Sequence, residues 1–180
     1  MSTNLRTQCL TDQWGTPDYI LEGIRGALGG VIHLDVCSSW EVNKTVRAER
    51  VITADSLDKY WGSHTVYCNP PSGKVRHPNY PNSKTNPQAF WEKINQKYDE
   101  IDIDKYCYLC YNLDQLVTNL RIHNPNDLII VLPHRRIRFI PLSGQKAGSP
   151  AHSNALIFRG VSKDDVAYHF PKEQYSILNN

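Results

Sequence analysis

Three consecutive residues, Asn69, Pro70 and Pro71, are the part of the sequence whose types and spacing could do chemistry. They directly follow a short apolar run, residues 66–68, that favours a strand. Proline has no N–H group to donate to a strand ladder, so this strand is predicted to end at Asn69. Ligands of an open α/β sheet bind just beyond the carboxyl ends of the strands. The pattern therefore predicts a polar side chain held rigidly at the edge of a binding crevice.

This arrangement favours attack by a planar amino group on an electrophile. Such an amine is a poor nucleophile because its lone pair is delocalised into the ring. Asn69 offers a side-chain carbonyl and Pro70 a backbone carbonyl, and the two can accept hydrogen bonds from the two N–H groups of the amine. These acceptors would favour a more pyramidal nitrogen and aim its lone pair at a methyl donor. An ordinary proline-rich turn would have the same sequence.

The length and charge of the chain limit its architecture. Its 180 residues are predicted to form one folded domain, residues 14–180, after a flexible N-terminus, residues 1–13. A formal net charge of +2 permits nucleic-acid binding without requiring it, so any phosphate-binding surface has to be local. The sequence has neither a signal-peptide pattern nor an apolar run long enough to cross a membrane, which predicts a cytoplasmic protein without a membrane partner.

The cysteines favour a reducing environment. They are odd in number and several lie in apolar, strand-like runs, where cysteine acts as a small apolar residue. The five are Cys9, Cys37, Cys68, Cys107 and Cys110. The closest pair has no second pair to complete a zinc site, so no metal is predicted.

Apolar residues at helical spacing, from Tyr19 onward, predict a helix near the start of the domain. Thr16 is predicted to be its N-cap and Pro17 its first residue. Gly29 is expected to end it. With Trp14 in front, the same residues also fit a simple capped surface helix.

Two predicted strands each contain an aspartate near their carboxyl end, Asp35 in residues 31–37 and Asp55 in residues 51–57. A buried carboxylate is costly unless a positive or hydrogen-bonding group meets it. The α-amino group of S-adenosylmethionine is such a partner for Asp35, and Asp55 can accept from the adenine amino group or the ribose. Either residue can instead cap the next turn. The repeat of strand and acid is typical of a doubly wound sheet.

A long polar stretch, residues 73–88, follows the Asn-Pro-Pro motif. It is too polar for the core and too long for an ordinary connection, which predicts a mobile lid or substrate loop. Plain disorder is the alternative. A helix is expected to begin at Ala89.

The rest of the chain predicts further elements of an α/β sheet. Strands are expected over residues 106–111, 128–132 and 155–158, with a helix over 113–122. A cluster of arginines comes after the second of these strands. The strands on either side of the loop over 143–153 are expected to form an antiparallel hairpin.

The motifs, taken in order, resemble the phage-type DNA N6-adenine methyltransferase family. The resemblance covers roughly residues 12–160 and depends on Trp14-x-Thr16-Pro17, Asp35-Val36-Cys37-Ser38-Ser39, Asp55-Ser56-Leu57 and Tyr67-Cys68-Asn69-Pro70-Pro71. It implies a Rossmann-like α/β fold with a mostly parallel, doubly wound sheet and a C-terminal antiparallel hairpin. It also implies S-adenosylmethionine as methyl donor and double-stranded DNA as partner.

The resemblance assigns roles to residues of this chain. Asn69 and Pro70 would hold the target amine, in a catalytic motif formed by Asn69, Pro70, Pro71 and Ser72. The residues implied to bind the cofactor are Trp14, Thr16, Pro17, Asp35, Cys37, Ser38, Asp55, Leu57 and Asn69. The predicted DNA contacts are Lys74, Arg76, Tyr80 and Lys84 in the polar loop and Arg135, Arg136 and Arg138 in the basic cluster.

The fourth motif position departs from the family pattern, because Ser72 stands where an aromatic residue is usual. A base that is swung out of the duplex normally stacks on an aromatic ring. The nearest candidates in the sequence are Tyr80, Phe90 and Trp91, and Tyr80 is the favoured one. It would be brought to the base when the polar loop closes on DNA.

Site-acting methylation of adenine in DNA is the function that the sequence favours, in the cytoplasm of a bacterial host if the gene is of phage origin. The same tetrapeptide serves methyltransferases that act on RNA bases, cytosine N4 or protein glutamine, since these amino groups are chemically alike. A non-catalytic phage nucleic-acid-binding protein on the same fold is the alternative from another class.

Overall fold

The computed structural model describes residues 14–141 and 151–179. The expectations for residues 1–13, for Cys9 and for most of the loop over 143–153 lie outside the described residues. The strands are β1 (Trp14–Gly15), β2 (Leu34–Asp35), β3 (Arg50–Val51), β4 (Ser63–Cys68), β5 (Ile103–Cys110), β6 (Ile129–Pro133), β7 (Ile140–Pro141), β8 (Ala155–Arg159) and β9 (Tyr175–Asn179). The helices are α1 (Asp18–Ala27), α2 (Trp40–Val46), α3 (Asn86–Asp99), α4 (Leu113–Ile122) and α5 (Lys163–His169), with a 3-10 turn over Ser56–Asp58.

A sheet with the strand order β3-β2-β4-β5-β8-β6-β9 forms the centre of the described part of the molecule. Strands β3, β2, β4 and β5 run parallel. The chain passes from β2 to β3 in one direction and from β4 to β5 in the other, so the strand order reverses between β2 and β4. Such a reversal leaves a crevice at the carboxyl ends of the two strands. Asp35 ends β2 and Asn69 follows β4, so both lie at this crevice.

The C-terminal part of the sheet is antiparallel. β8 lies between β5 and β6 and is antiparallel to both, and β9 pairs with the outer side of β6. The predicted antiparallel pair is therefore present as β6 and β8. The chain between them leaves the sheet to form β7, which pairs with β1. A mostly parallel α/β sheet with an antiparallel C-terminal part is confirmed, in a form consistent with a methyltransferase fold.

Helices cover both faces of the sheet, and neighbouring strand residues alternate between the two apolar clusters beneath them. Tyr67 and Leu109 belong to the cluster under α1 and α5, whereas Val66 and Tyr108 belong to the cluster on the side of α3 and α4. A sheet buried on both faces requires apolar residues at successive positions, as the sequence has. Of the helices in the described residues, none is both long and apolar enough to cross a membrane.

The structure corrects the predicted start of two helices. α1 begins at Asp18 with Pro17 as its N-cap residue, so the prediction that Thr16 caps it is wrong. α3 begins at Asn86 rather than Ala89. The Thr85 hydroxyl and the Gln88 side chain form a reciprocal capping box at its first turn.

Two predicted strands are shorter than expected. The strand over residues 31–37 is limited to β2, and the one over 51–57 to β3. Asp55 instead precedes the 3-10 turn in a left-handed backbone conformation, with φ of 52°. In both cases apolar residues continue beyond those that pair with a neighbouring strand, so the sequence pattern overestimates the length of each strand.

Candidate active site

Asn69 is fixed by a chain of hydrogen bonds that joins three segments of the molecule. The Thr16 hydroxyl, just before α1, lies 2.7 Å from the phenol oxygen of Tyr67 in β4. The amide nitrogen of Asn69 donates to Thr16 Oγ1 at 3.5 Å. Thr16 thus orients the side-chain amide of Asn69 instead of capping a helix. The amide nitrogen of Asn69 is a donor and is bonded to Thr16. Oδ1 is the acceptor that Asn69 can offer to a substrate.

Asp35 lies at the end of β2 with only 1% of its surface exposed. Its carboxylate accepts from the backbone N–H of Cys37, with 3.1 Å between N and Oδ1, and from the Ser38 side chain. Both partners are neutral, so burial dominates and raises the pKa of Asp35 to about 6. A buried carboxyl with neutral partners is suited to meet a positively charged ligand group.

The turn from β2 to α2 contains two more predicted cofactor residues. Ser38 is buried, and its N–H donates to the carbonyl of Ile52 at 3.2 Å. The Sγ atoms of Cys37 and Cys68 lie 3.8 Å apart, which joins this turn to the end of β4. Burial raises the pKa of both thiols. The four described cysteines are free.

Asp55 and Leu57 lie in the turn after β3. Asp55 is exposed and occupies the N-cap position of the 3-10 turn, but its side chain makes no capping hydrogen bond there. Lys93 of α3 holds this turn, because its Nζ donates to the carbonyls of Leu57 at 2.6 Å and Lys59 at 3.0 Å. The same ammonium lies 4.9 Å from the ring centroid of Trp61. The segment is therefore anchored to α3 while Asp55 projects to solvent.

The motif turn closes onto the start of α3. The N–H of Asn86 donates to the carbonyl of Gly73 at 2.8 Å, and its side chain donates to the carbonyl of Ser72 at 3.0 Å. Gly73 has a φ of +88°, a conformation that only glycine adopts without strain. Ser72 itself is exposed. These bonds fix the backbone beyond Pro71.

The two ends of the polar loop, residues 74–85, are hydrogen-bonded to each other, and this segment is here called the flap. Lys74 pairs with Thr85 in an antiparallel bridge, and the N–H of Val75 donates to the carbonyl of Lys84 at 2.9 Å. Residues 86–88, predicted to be part of the loop, belong to α3. Lys84 also forms an ion pair with Glu92. Of the predicted DNA contacts in the flap, Lys74 and Arg76 are exposed and Lys84 is already paired with a carboxylate.

The favoured stacking residue, Tyr80, is half-buried within the flap. Its ring lies 5.3 Å from that of His77, and the Lys84 ammonium lies 5.3 Å from its centroid. His77 in turn is bonded to Asp58 at 2.6 Å. The loop is therefore bonded to the 3-10 turn through His77 and to α3 through Lys84.

The two alternative aromatic residues, Phe90 and Trp91, belong to the core. Phe90 stacks on Trp61 with 5.8 Å between ring centroids, and Trp91 is fully buried with its N–H donating to the carbonyl of His123. Neither ring can reach a base without unfolding of α3. Their proposed role as base-stacking residues is therefore wrong.

The basic cluster lies one strand away from Thr16. Arg135, Arg136 and Arg138 are exposed, while Ile137 between them is buried in the core. The segment ends in β7, which pairs with β1, so Trp14 lies opposite Pro141. β1 leads directly to Thr16, which is bonded to the side-chain amide of Asn69. Tertiary pairing thus places three predicted phosphate contacts and the predicted amine-binding residues in neighbouring segments.

The cleft beside the motif contains residues that the sequence did not indicate. It has a volume of about 150 Å³ and its lining includes Pro70, Ser72, Pro87, Tyr111 and Gln115. Tyr111 directly follows β5 and is 50% exposed. The only signal for Tyr111 in the sequence is its place at the end of a predicted strand, which many residues share.

A buried asparagine, also missed in the sequence, joins the cleft to the basic cluster. Asn154, just before β8, donates to the carbonyl of Tyr111 at 2.6 Å and accepts from the N–H of Ile137 at 3.3 Å. It is 4% exposed. Both bonds join segments far apart in the sequence, so no local pattern could have indicated them.

The chain is similar to a known family of proteins. Within the described residues, no group of three or more His, Cys, Asp or Glu side chains is placed to hold a metal ion. No curated protein matches the chain significantly. The family described as DNA N-6-adenine-methyltransferase (Dam) matches residues 3–167, which is most of the chain. Its activity is that of an enzyme that methylates adenine N6 in DNA. Together with the Asn-Pro-Pro motif at the switch point of the sheet, this match shows that the chain belongs to the DNA N6-adenine methyltransferase family.

Proposed function

We propose that this protein transfers the methyl group of S-adenosylmethionine to N6 of an adenine that is swung out of duplex DNA. The observation that carries the proposal is the hydrogen-bond chain Tyr67–Thr16–Asn69, which leaves Asn69 Oδ1 as a fixed acceptor beside Pro70. Two acceptors at this place suit an amine that becomes more pyramidal as it attacks. A preorganised acceptor lowers the barrier because it does not have to reorient during the reaction.

The residues at the end of β2 fit the cofactor. S-adenosylmethionine, when bound, supplies an electrophilic methyl group on a sulfonium and also carries an ammonium. Asp35 is a buried carboxylate with neutral partners, which suits that ammonium. The turn with Cys37 and Ser38 would border the methionine end, with Trp14, Thr16 and Pro17 on the opposite side. Asp55 and Leu57, in the turn held by Lys93, would face the adenosine.

DNA is the acceptor that the charge distribution favours. The net charge is only +2, yet Arg135, Arg136 and Arg138 project from one short segment. That segment is joined through β7 and β1 to Thr16. Phosphate contacts there would position the duplex over the cleft, and Lys74 and Arg76 of the flap would meet it from another side.

The test is methylation of unmethylated genomic DNA by the purified protein with isotope-labelled S-adenosylmethionine. We expect N6-methyladenine among the hydrolysed nucleosides, and sequencing of the methylated positions gives the recognised site. Asn69→Ala is the matched control for a contaminating host enzyme. Label in N4-methylcytosine, in RNA or in protein glutamine would identify another acceptor. Absence of both methylation and S-adenosylmethionine binding would favour the non-catalytic alternative.

A further inference from the structure

We infer that Tyr111 supplies the aromatic face for the swung-out base, in the place that Ser72 leaves without a ring. The inference rests on the proposed function, because it concerns how the same site holds its substrate. It replaces Tyr80, the residue that the sequence favours for this role.

The register of the sheet places Tyr111 beside the motif. In the parallel pair of β4 and β5, Cys68 lies opposite Tyr108. Pro71 and Tyr111 each come three residues later, so both leave the same edge of the sheet in neighbouring segments. Both Tyr111 and Pro70 line the cleft. An aromatic ring from β5 can therefore meet a base whose amine is held at Asn69 and Pro70.

The cleft has room for more than solvent. Its volume of about 150 Å³ is well above the roughly 10–15 Å³ that one water molecule occupies. Ser72 and Gly73 form one side of it with little side-chain bulk, and Pro87 at the start of α3 adds an apolar surface. An apolar surface and the Tyr111 ring thus line the same cleft.

The backbone of Tyr111 is fixed while its ring remains accessible. Its carbonyl accepts from the buried Asn154 at 2.6 Å. The next residue, Asn112, caps α4 by accepting from the N–H of Gln115 at 2.7 Å. The ring is 50% exposed and lies 4.8 Å from that of His152, tilted by 57°. A rigid anchor with an exposed ring is what a stacking platform needs.

The other aromatic candidates are less suitable. Phe90 and Trp91 are core residues. Tyr80 is engaged by His77 and Lys84 on the side of the 3-10 turn and would have to leave both contacts. Tyr111 already lines the cleft, with His152 as its aromatic neighbour.

The first test compares Tyr111→Leu and Tyr111→Phe with Tyr80→Ala and with Tyr168→Leu, a control at an exposed position on α5. Loss of one base–aromatic stack predicts that kcat/KM for DNA falls by roughly 5- to 150-fold in Tyr111→Leu. Tyr111→Phe should retain activity, because stacking needs the ring and not the hydroxyl. Affinity for S-adenosylmethionine and the unfolding midpoint should remain those of the unsubstituted protein in all four variants.

A second measurement reports on stacking itself. DNA with 2-aminopurine at the methylated position, identified by sequencing, emits when the base leaves the duplex and is quenched when it stacks on a ring. At equal occupancy, emission should be higher with Tyr111→Leu than with the unsubstituted protein. A merely structural role for Tyr111 would not change this signal.

The outcomes separate this inference from the proposed function. If the unsubstituted protein methylates adenine and Tyr111→Leu is equally active with unchanged emission, the inference is overturned and the function stands. Loss of activity in Tyr80→Ala with full activity in Tyr111→Leu would also overturn it and restore the flap residue. If the unsubstituted protein does not methylate adenine in DNA, both are overturned.

Discussion

At the scale of single residues, the candidate site depends on polar groups held by hydrogen bonds, from a distant segment for Asn69 and from the adjoining turn for Asp35. Asn69 is oriented by Thr16, and Thr16 by Tyr67. Asp35 is buried with partners that carry no charge. Under the proposed function, Asn69 would act on the amine and Asp35 on the cofactor, so substitutions of the two should have different effects.

Asn69→Ala should lower turnover by about 10²–10³, by analogy with the loss of one preorganised polar group. The affinity for S-adenosylmethionine, measured by calorimetry, should barely change. Normal turnover in this variant would remove Asn69 from the catalytic role. Thr16→Val is the informative companion, because it keeps Oδ1 but removes the hydroxyl that orients it. We expect a smaller loss of turnover there.

If Asp35 holds the ammonium of the cofactor as proposed, cofactor binding is expected to depend on pH. Its pKa is raised from 3.8 to about 6 by burial, and only the ionised carboxyl attracts an ammonium. Affinity for S-adenosylmethionine should therefore be constant near pH 7 and fall by up to about tenfold per unit as the pH drops below 6. Asp35→Asn should bind weakly at every pH. A parent-like affinity in that variant would contradict the assignment.

The raised pKa of Asp35 has the opposite effect on the stability of the ligand-free protein, which should fall as the pH rises. The raised pKa means that the fold favours the neutral carboxyl. The contribution of Asp35 to the free energy of unfolding is therefore complete below pH 4 and is lost as the pH rises through 6. At pH 7 the buried charge costs up to about 3 kcal/mol. Asp35→Asn is thus expected to resist urea better than the parent at pH 7 while it loses cofactor affinity.

At the scale of elements, short strands and turns carry the predicted DNA contacts. The arginine segment is held by buried Ile137 and by β7, so its charged side chains point outward from a fixed backbone. The flap has a fixed base at Lys74 and Thr85. A rigid presentation of charge suits contacts to phosphates, which position the duplex without reading its sequence.

Arg135→Ala or Arg136→Ala should make DNA binding less dependent on salt. Each phosphate contact contributes about −0.9 to the slope of log K against log salt concentration, so each variant should flatten the slope by about one unit. Arg47→Ala is a matched control, because Arg47 is paired with Asp18 and Glu22. Unchanged slopes in both variants would mean that the phosphates are met elsewhere, with Lys74 and Arg76 as the next candidates.

At the scale of the whole molecule, residues beyond the family match complete the core. The match ends at residue 167, yet Phe170 and Tyr175 are buried and β9 covers the outer side of β6. Phe170 packs on Phe158 with 5.6 Å between ring centroids. It also lies so close to α1 at Gly23 that an added Cβ there would come within 2.8 Å of its ring. The C-terminal segment therefore packs against α1 and holds it on the sheet.

Phe170→Ala should lower the free energy of unfolding by about 3–5 kcal/mol, because it leaves a cavity between α1, α5 and the sheet. Urea denaturation measures this. Tyr168→Ala, at an exposed ring two residues earlier, should change it by less than about 0.5 kcal/mol. Equal changes in the free energy of unfolding for the two substitutions would contradict this packing role of Phe170.

The sequence by itself determined the features that depend on neighbouring residues. Asn69-Pro70-Pro71 ends a buried strand because proline cannot continue a ladder, and Asp35 lies in a second apolar run that contains a strand. The helix that ends at Ala27 and the helix over 113–122 follow from apolar spacing. These local rules were enough to predict a mostly parallel α/β sheet with its site at the strand ends.

Only the tertiary structure decided which distant residues meet at that site. Thr16 bonds to Asn69 rather than capping α1, Asn154 joins Tyr111 to Ile137, and β7 leaves the sheet to pair with β1. Each contact spans many residues and involves a polar group that would be equally stable in water. Its place is set by the register of strands and the packing of helices, which bring the partners together only once the core has formed.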